Sequence, residues 1–121
     1  MAVILIVEDD VLIREIADLM VQDFGYDTLV ASDVDEALKY VRSTKQIDAI
    51  FTDIYLHNSV LGGCKLGIEA VRLRPELRVL YTTGNLITPE MTDMFVNGKH
   101  FLRKPYTERQ LRCSVDKLIH L

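Results

Sequence analysis

Four short segments carry residue types that together make a recognisable chemistry. Glu8, Asp9 and Asp10 run together near the start, and Asp53 follows an apolar run. Thr82 and Thr83 close another apolar run, and Lys104 with Pro105 closes a last one. Carboxylates a few ångströms apart repel one another, and their pKa values rise unless a cation joins them. Ligands that are all oxygen select a hard cation. Mg²⁺ takes one or two carboxylates, keeps waters and adds phosphate oxygens. Lys104 brings a positive charge and Thr83 a hydroxyl donor, both suited to a phosphoryl group. A carboxylate such as Asp53 is a nucleophile in phosphoryl transfer. Taken singly, each segment has a plainer reading: the acids as the polar start of a helix, Asp53 as a turn residue, Lys104-Pro105 as a loop. The reading as Mg²⁺-assisted phosphorylation of an aspartate rests on all of them meeting.

Whether they meet depends on the elements between them. Ala2–Val7 is wholly apolar, as a strand buried on both faces is. Asp10–Phe24 repeats Leu12, Ile16, Met20 and Phe24 at a helical spacing and stops at Gly25. Tyr26–Ala31 alternates like an outer strand. Ser32 and Asp35 form a capping pattern for a second helix, whose stripe is Val34, Ala37, Leu38 and Val41. Ala49-Ile50-Phe51 is a third strand ending at Thr52-Asp53. A loop with Gly62, Gly63 and Gly67 leads into a helix that ends before Pro75. Val79-Leu80-Tyr81 is a fourth strand. Thr88-Pro89 opens a helix that Asn97-Gly98 stops. Phe101-Leu102 is a short fifth strand. Thr107 with Gln110 caps a last helix striped by Leu111, Val115, Leu118 and Ile119. This repeated strand-helix alternation implies a parallel sheet covered by helices on both faces. In such open sheets ligands bind beyond the carboxyl ends of the strands, which is where every one of the chemical segments falls.

The chain has 121 residues, which fits one domain. Hydrophobic residues at 49% and charged residues at 26% are those of an ordinary globular protein and exclude collagen-like and disordered classes. A net charge of −4 argues against a direct nucleic-acid partner. The apolar run Ala2–Val7 is too short to span a membrane and lacks the basic lead of a signal peptide, so no membrane partner and a cytoplasmic location are expected. Cys64 and Cys113 show no CxxC spacing and are expected to be reduced and mostly structural.

Over essentially its whole length, 1–121, the chain resembles the receiver domain of bacterial response regulators. The segments that carry the resemblance are Ile4-Leu5-Ile6-Val7-Glu8-Asp9-Asp10, Thr52-Asp53-Ile54, Val79-Leu80-Tyr81-Thr82-Thr83-Gly84 and Phe101-Leu102-Arg103-Lys104-Pro105. The resemblance implies an α/β, flavodoxin-like (βα)5 three-layer sandwich with a parallel five-stranded sheet in the order 2-1-3-4-5, an order known for the family. It implies that Asp53 is the phosphoacceptor, served by a histidine kinase or a histidine phosphotransfer protein. Glu8, Asp9 and Asp53 with the backbone carbonyl of Tyr55 would hold Mg²⁺, Asp9 directly and Glu8 through water. Asp10 lies one place beyond the pair. Thr83 matches the hydroxyl that swings toward the phosphoryl group, Lys104 the ion-pairing lysine, and the bond to Pro105 a cis peptide. Phe101 matches the aromatic that turns inward on activation. The face of the fourth helix, fifth strand and fifth helix would then change shape for a downstream protein target, and it is where a homodimer would form. The resemblance makes the protein a switch that catalyses only its own phosphorylation and dephosphorylation, not an enzyme on external substrates.

The sequence departs from the family in two places. His57 stands where the family has proline, and the glycine beyond it appears as Gly62-Gly63, which makes that loop longer. Tyr55 and Asn85 hold the positions that tune how long an aspartyl phosphate survives, and the Tyr55 ring is expected to shield it from water. Other signals are weak. Gly62 to Ile68 has the glycine spacing of a P-loop but Ile68 in place of its lysine. His57, His100 and His120 have no metal spacing. Arg72, Arg74 and Arg78 read as a solvated helix end, and Met91, Met94 and Phe95 as core. The alternatives are a receiver excised from a hybrid histidine kinase or longer regulator, against a free-standing one, and a Mg²⁺-dependent phosphohydrolase using Asp53. Tyr55 breaks the DxD pattern of that last class.

Overall fold

In the computed structural model, residues 1–57 and 59–120 are described. The strands are β1 (Val3–Val7), β2 (Asp27–Ala31), β3 (Ala49–Asp53), β4 (Arg78–Thr83) and β5 (His100–Arg103). They alternate with α1 (Val11–Asp23), α2 (Val34–Arg42), α3 (Gly62–Leu73), α4 (Pro89–Met94) and α5 (Glu108–Ile119). All strand pairs are parallel, and the sheet order is β2-β1-β3-β4-β5, as the family resemblance implied. Side chains alternate along each strand, so the sheet feeds two cores. Leu5, Val7, Ile50, Val79 and Tyr81 face α2, α3 and α4. Ile4, Ile6, Phe51 and Leu80 face α1 and α5. Apolar burial on both faces of β1, β3 and β4 drives the layering.

Local chemistry sets the helix ends. Thr107 and Gln110 form the expected reciprocal cap of α5, with Thr107 N–H donating to Gln110 Oε1 at 2.8 Å and Gln110 N–H to Thr107 Oγ1 at 3.1 Å. Thr88 caps α4, with Pro89 in its first turn. The expected cap of α2 is displaced by one residue. Asp33 is the N-cap, accepting from Glu36 N–H at 2.8 Å, while Ser32 N–H donates to the Glu36 carboxylate at 2.6 Å. The pair Asp33 and Glu36 is an equally spaced cap, and a carboxylate is the stronger acceptor.

Four expectations are corrected. First, α4 ends at Met94 and not at Asn97-Gly98. The buried Phe95 ring stacks on Tyr81 at 4.3 Å, and Val96 N–H donates to the Tyr81 hydroxyl at 3.2 Å, which pulls the chain out of the helix. Second, Gly62, Gly63 and Gly67 lie inside α3. A Cβ on Gly63 would stand 2.0 Å from the Asp53 carbonyl oxygen, and one on Gly67 would stand 2.3 Å from the Tyr81 hydroxyl. These glycines let α3 press onto β3 and β4. Third, Arg74 is not solvated. Its guanidinium donates to the carbonyls of Val41 (2.9 Å), Ser43 (2.6 Å) and Lys45 (2.9 Å), closing the end of α2. Arg78 likewise donates to the Leu118 carbonyl at 3.0 Å. Fourth, Leu12 (69% exposed) and Ile16 point outward, and α1 buries Ala17 and Val21 instead.

Among the described residues no helix is long and apolar enough to cross a membrane. Both cysteines are free: Cys64 is buried, where burial pushes its thiol up to about 11, and Cys113 is exposed.

Alanine in place of glycine inside a helix ordinarily gains up to about 1 kcal/mol. At Gly63 the sign is expected to reverse, because the new methyl meets backbone. Gly63→Ala is expected to lose on the order of 1–3 kcal/mol in urea denaturation, and a gain would show that α3 does not press on β3 as described.

Candidate functional site

The site begins as a row across the sheet. Ile6, Phe51 and Leu80 are register partners on the face toward α1 and α5. Two residues further along each strand, the same face carries Glu8, Asp53 and Thr82, just where the strands run out. Apolar burial thus changes to polar burial within one pleat. Glu8 is 5% exposed and Asp53 8%. Beyond β5, Lys104 N–H continues the ladder to the Thr83 carbonyl at 3.0 Å. Its side chain crosses back to the row, with Nζ 2.7 Å from Glu8 Oε1 and 3.0 Å from Asp53 Oδ2. The Lys104–Pro105 peptide at this turn is cis.

The acids divide their work. Asp10 caps α1, its carboxylate accepting from Ile13 N–H at 3.0 Å. Glu8 Oε2 accepts from Asp10 N–H at 3.1 Å. Asp9 stays open to solvent on one side, and its Oδ2 lies 3.6 Å from His57 Nδ1. One carboxylate oxygen from each of Glu8, Asp9 and Asp53 falls within 4.8 Å of the others. The Tyr55 N–H bonds to the Asp53 carboxylate, while the Tyr55 ring packs against the core under α2 and α3. Thr83 is buried at the end of β4, and its Oγ1 accepts from Asn85 N–H at 3.1 Å. Phe101, on β5, lies farther from the carboxylates, partly buried with its ring 6.1 Å from that of Phe95.

The sequence profile of the response regulator receiver domain matches residues 4–116. The chain belongs to the response regulator receiver domains. It is 30% identical over 124 aligned positions to a response regulator of Rickettsia bellii described as NtrX-like, covering 95% of this chain and 25% of that protein. The crystal structure of NtrX from Brucella abortus superposes with a TM-score of 0.84 at 29% identity, covering 99% of this chain and 27% of that one. A receiver protein from Sinorhizobium medicae shares the fold with a TM-score of 0.89 at 24% identity, covering 98% and 94%. The chain thus spans about a quarter of the length of the NtrX-like relatives.

Receiver domains bind Mg²⁺ at an acidic pocket, and the donor set here fits that ion: three carboxylates, all oxygen, with one side open to water. Burial pushes the Glu8 and Asp53 carboxyls above their usual range, although Lys104 pulls both back. Burial acts the same way on Asp9, but hydrogen bonds from Glu8 and its own N–H, with His57 beside it, hold it below the ordinary value. Burial lowers Lys104 while Glu8 and Asp53 raise it, and the acids win. The ammonium is therefore held charged among carboxylates that share too little positive charge.

Two residues at the site escaped the sequence reading. His57 has no metal spacing in the sequence and its side chain is 79% exposed, yet its Nδ1 lies 3.6 Å from Asp9 Oδ2. Its place four residues beyond Asp53 was the one available signal. Leu56 and Ser59 exchange two backbone hydrogen bonds (3.1 and 2.8 Å) that hold this loop end. Thr82 was read only as the neighbour of Thr83, and its place beside Asp53 depends on a strand register that no spacing reveals.

A carboxyl whose folded pKa is raised costs stability above that pKa and costs nothing below its unfolded value. Asp53→Asn keeps an oxygen for Lys104 and removes the charge. It is expected to have a higher urea midpoint than wild type near pH 7, with the difference closing as the pH falls through the carboxylate range to about 4. Equal midpoints near pH 7 would contradict the burial described.

Proposed function

We propose that the chain is a phosphorylation-controlled switch in which Asp53 accepts a phosphoryl group from the phosphohistidine of a histidine kinase or a histidine phosphotransfer protein. The observation that carries this reading is the Lys104 ammonium bridging Glu8 and Asp53 inside the carboxylate cluster. A receiver with the acids but without the lysine would lack a fixed positive charge for the incoming group. Glu8, Asp9, Asp53 and the Tyr55 carbonyl are the residues that would hold Mg²⁺. When bound, the ion neutralises charge on the transferring phosphoryl oxygens.

The chain's own residues do the rest. An Asp53 carboxylate oxygen bonds to phosphorus as the phosphorus–nitrogen bond of the donor breaks, and the electron pair stays on the donor imidazole. Tyr55 N–H orients that carboxylate, and Lys104 stays paired to the new charge. The phosphoryl group adds about −1.5 to −2 charges and fresh acceptor oxygens. The Thr83 hydroxyl, now an acceptor for Asn85 N–H, turns its proton toward them. Asn85 and the loop after β4 shift with it, Phe101 moves into the space, and the face of α4, β5 and α5 changes for a downstream protein or a second copy of the chain. Such coupling is worth about 1–3 kcal/mol.

The exposed apolar side chains of α1 support a protein donor. Leu12, Ile16 and Leu19 are more than half exposed. Beside them a groove of about 470 Å³ runs between Ile13, Ile16 and Met20 on one wall and Pro105 and Tyr106 on the other, with Lys104 lining it. A kinase domain seated there would bring its histidine to Asp53. The reading places the protein in the cytoplasm, either alone or as the receiver part of a longer regulator.

Incubation with acetyl phosphate and Mg²⁺ tests the acceptor. Intact mass is expected to show one added phosphoryl group on wild type and none on Asp53→Asn, and a wild type that stays unmodified overturns the reading. The cation site has its own test in thermal unfolding. Mg²⁺ at a hundredfold over its Kd is expected to stabilise the fold by about 2.7 kcal/mol, and Asp9→Asn should remove most of that shift. An equal shift in the variant would place the ion elsewhere.

A further inference from the structure

Thr82 stands in the row of Glu8 and Asp53, as the register partner of Asp53 on β3 and of Leu102 on β5. It is 3% exposed, and its hydroxyl oxygen has no hydrogen-bond partner among the described residues. Buried hydroxyls are almost always paired, because leaving one unpaired forfeits its hydration for nothing. The neighbouring hydroxyls are accounted for: Thr52 donates to the Asp53 carbonyl at 2.9 Å, and Thr83 accepts from Asn85 N–H. A valine would fill the site of Thr82 with the same shape and no unpaired group. Leu102 stands beside it on β5, and Tyr106 packs on the same core face, its ring meeting Phe51 edge-on at 5.9 Å. The polar group facing it along the row is the Asp53 carboxyl. Adjacent strands lie about 4.8 Å apart, so rotation of the two side chains closes the gap to a hydrogen bond.

We propose that Thr82 is a further catalytic residue of the phosphoacceptor site, whose hydroxyl donates to the Asp53 oxygen that leaves when the acyl phosphate is hydrolysed. The proposal rests on Asp53 being the phosphoacceptor. In that step a water oxygen bonds to phosphorus while the bond from phosphorus to the Asp53 oxygen breaks. The electron pair stays on Asp53, which returns to carboxylate, and both protons of the water leave on the phosphate. Negative charge therefore grows on the Asp53 oxygen as the bond lengthens. Lys104 bonds that carboxyl at 3.0 Å and is drawn to the phosphoryl group, so a second donor at the neighbouring strand position stabilises the leaving group. The hydroxyl thereby shortens the life of the phosphorylated state and gives the switch a way to reset.

The experiment follows loss of the phosphoryl group by intact mass after acetyl phosphate is removed, in wild type, Thr82→Val and Thr82→Ser, with melting temperatures recorded for each. Thr82→Val is expected to hold its phosphoryl group about tenfold longer, the effect of one ordinary hydrogen bond to a carboxylate, and to melt at or above the wild-type temperature. Thr82→Ser, which keeps the hydroxyl, is expected to decay at close to the wild-type rate. A Thr82→Val that decays as wild type overturns the proposal and leaves Asp53 as acceptor untouched. Equal slowing in the valine and serine variants also overturns it, because a variant that keeps the hydroxyl would then behave like one that lacks it. A wild type that never gains a phosphoryl group overturns this proposal together with the acceptor reading. Should Thr82→Val fail to fold, Thr82→Cys, of similar size and with a far weaker donor, takes its place under the same criteria.

Discussion

Three carboxylates cannot be gathered at the edge of a protein interior without a cation to join them. In this receiver the cation built into the chain is Lys104. Its ammonium touches Glu8 and Asp53 and leaves Asp9 to a looser neighbour, His57. One positive charge among three negative ones leaves a deficit, and the deficit is why burial still pushes Glu8 and Asp53 up. The donor set of such a site, all oxygen and short of positive charge, fits a hard divalent ion. Perturbed carboxyls of this kind cluster at functional sites, where such an imbalance is held at a cost to the fold.

The fold meets this constraint by making the change from apolar to polar burial abrupt. Ile6, Phe51 and Leu80 are core, and one pleat later Glu8, Asp53 and Thr82 form the floor of the site. Parallel pairing makes that step possible, because all strands end on the same side and their last residues share a level. Gly63 fixes the level from the other face. Its missing side chain lets its N–H reach the Ile54 carbonyl at 2.9 Å, so α3 clamps the end of β3 at Asp53. The apparent phosphate-loop spacing of these glycines is thus a packing requirement of α3.

How much of this was legible in the sequence follows the range of the forces involved. The five repeats of strand and helix, the sheet class and the caps of α4 and α5 are written in local patterns, and they were read correctly. Strand order came from the family resemblance, since no spacing encodes which strands are neighbours. Local reading failed where a distant contact decided the outcome. Tyr81 ends α4 early by stacking on Phe95 and taking Val96 N–H, and Arg74 closes a helix end about thirty residues before it. The Ser32 cap gave way to Asp33 because two overlapping patterns were spaced alike. Glu8, Asp9, Asp53 and Lys104 were legible as chemistry, and the structure does bring them together. The place of Thr82 beside Asp53 was not legible, because it is set by register across β3 and β4.

The misread stripe of α1 points to a division of labour between the two faces of that helix. Helical periodicity reports that Leu12 and Ile16 share a stripe, but not whether that stripe meets the domain's own core. Here the small residues Ala17 and Val21 face the sheet, which lets α1 lie close, and the large ones face out beside the Lys104 loop. An apolar patch that size is costly in water unless something covers it. Its position beside Lys104 puts whatever covers it next to the ion pair of Lys104 with Asp53. Dry surroundings strengthen every charge interaction at the carboxyl. On the proposed function, a bound donor would sharpen the electrostatics that draw its phosphoryl group across, and its departure would readmit water. The outward stripe of α1 and the buried row of Glu8, Asp53 and Thr82 thus meet at the Lys104 loop, one exposed and the other buried at the end of the sheet.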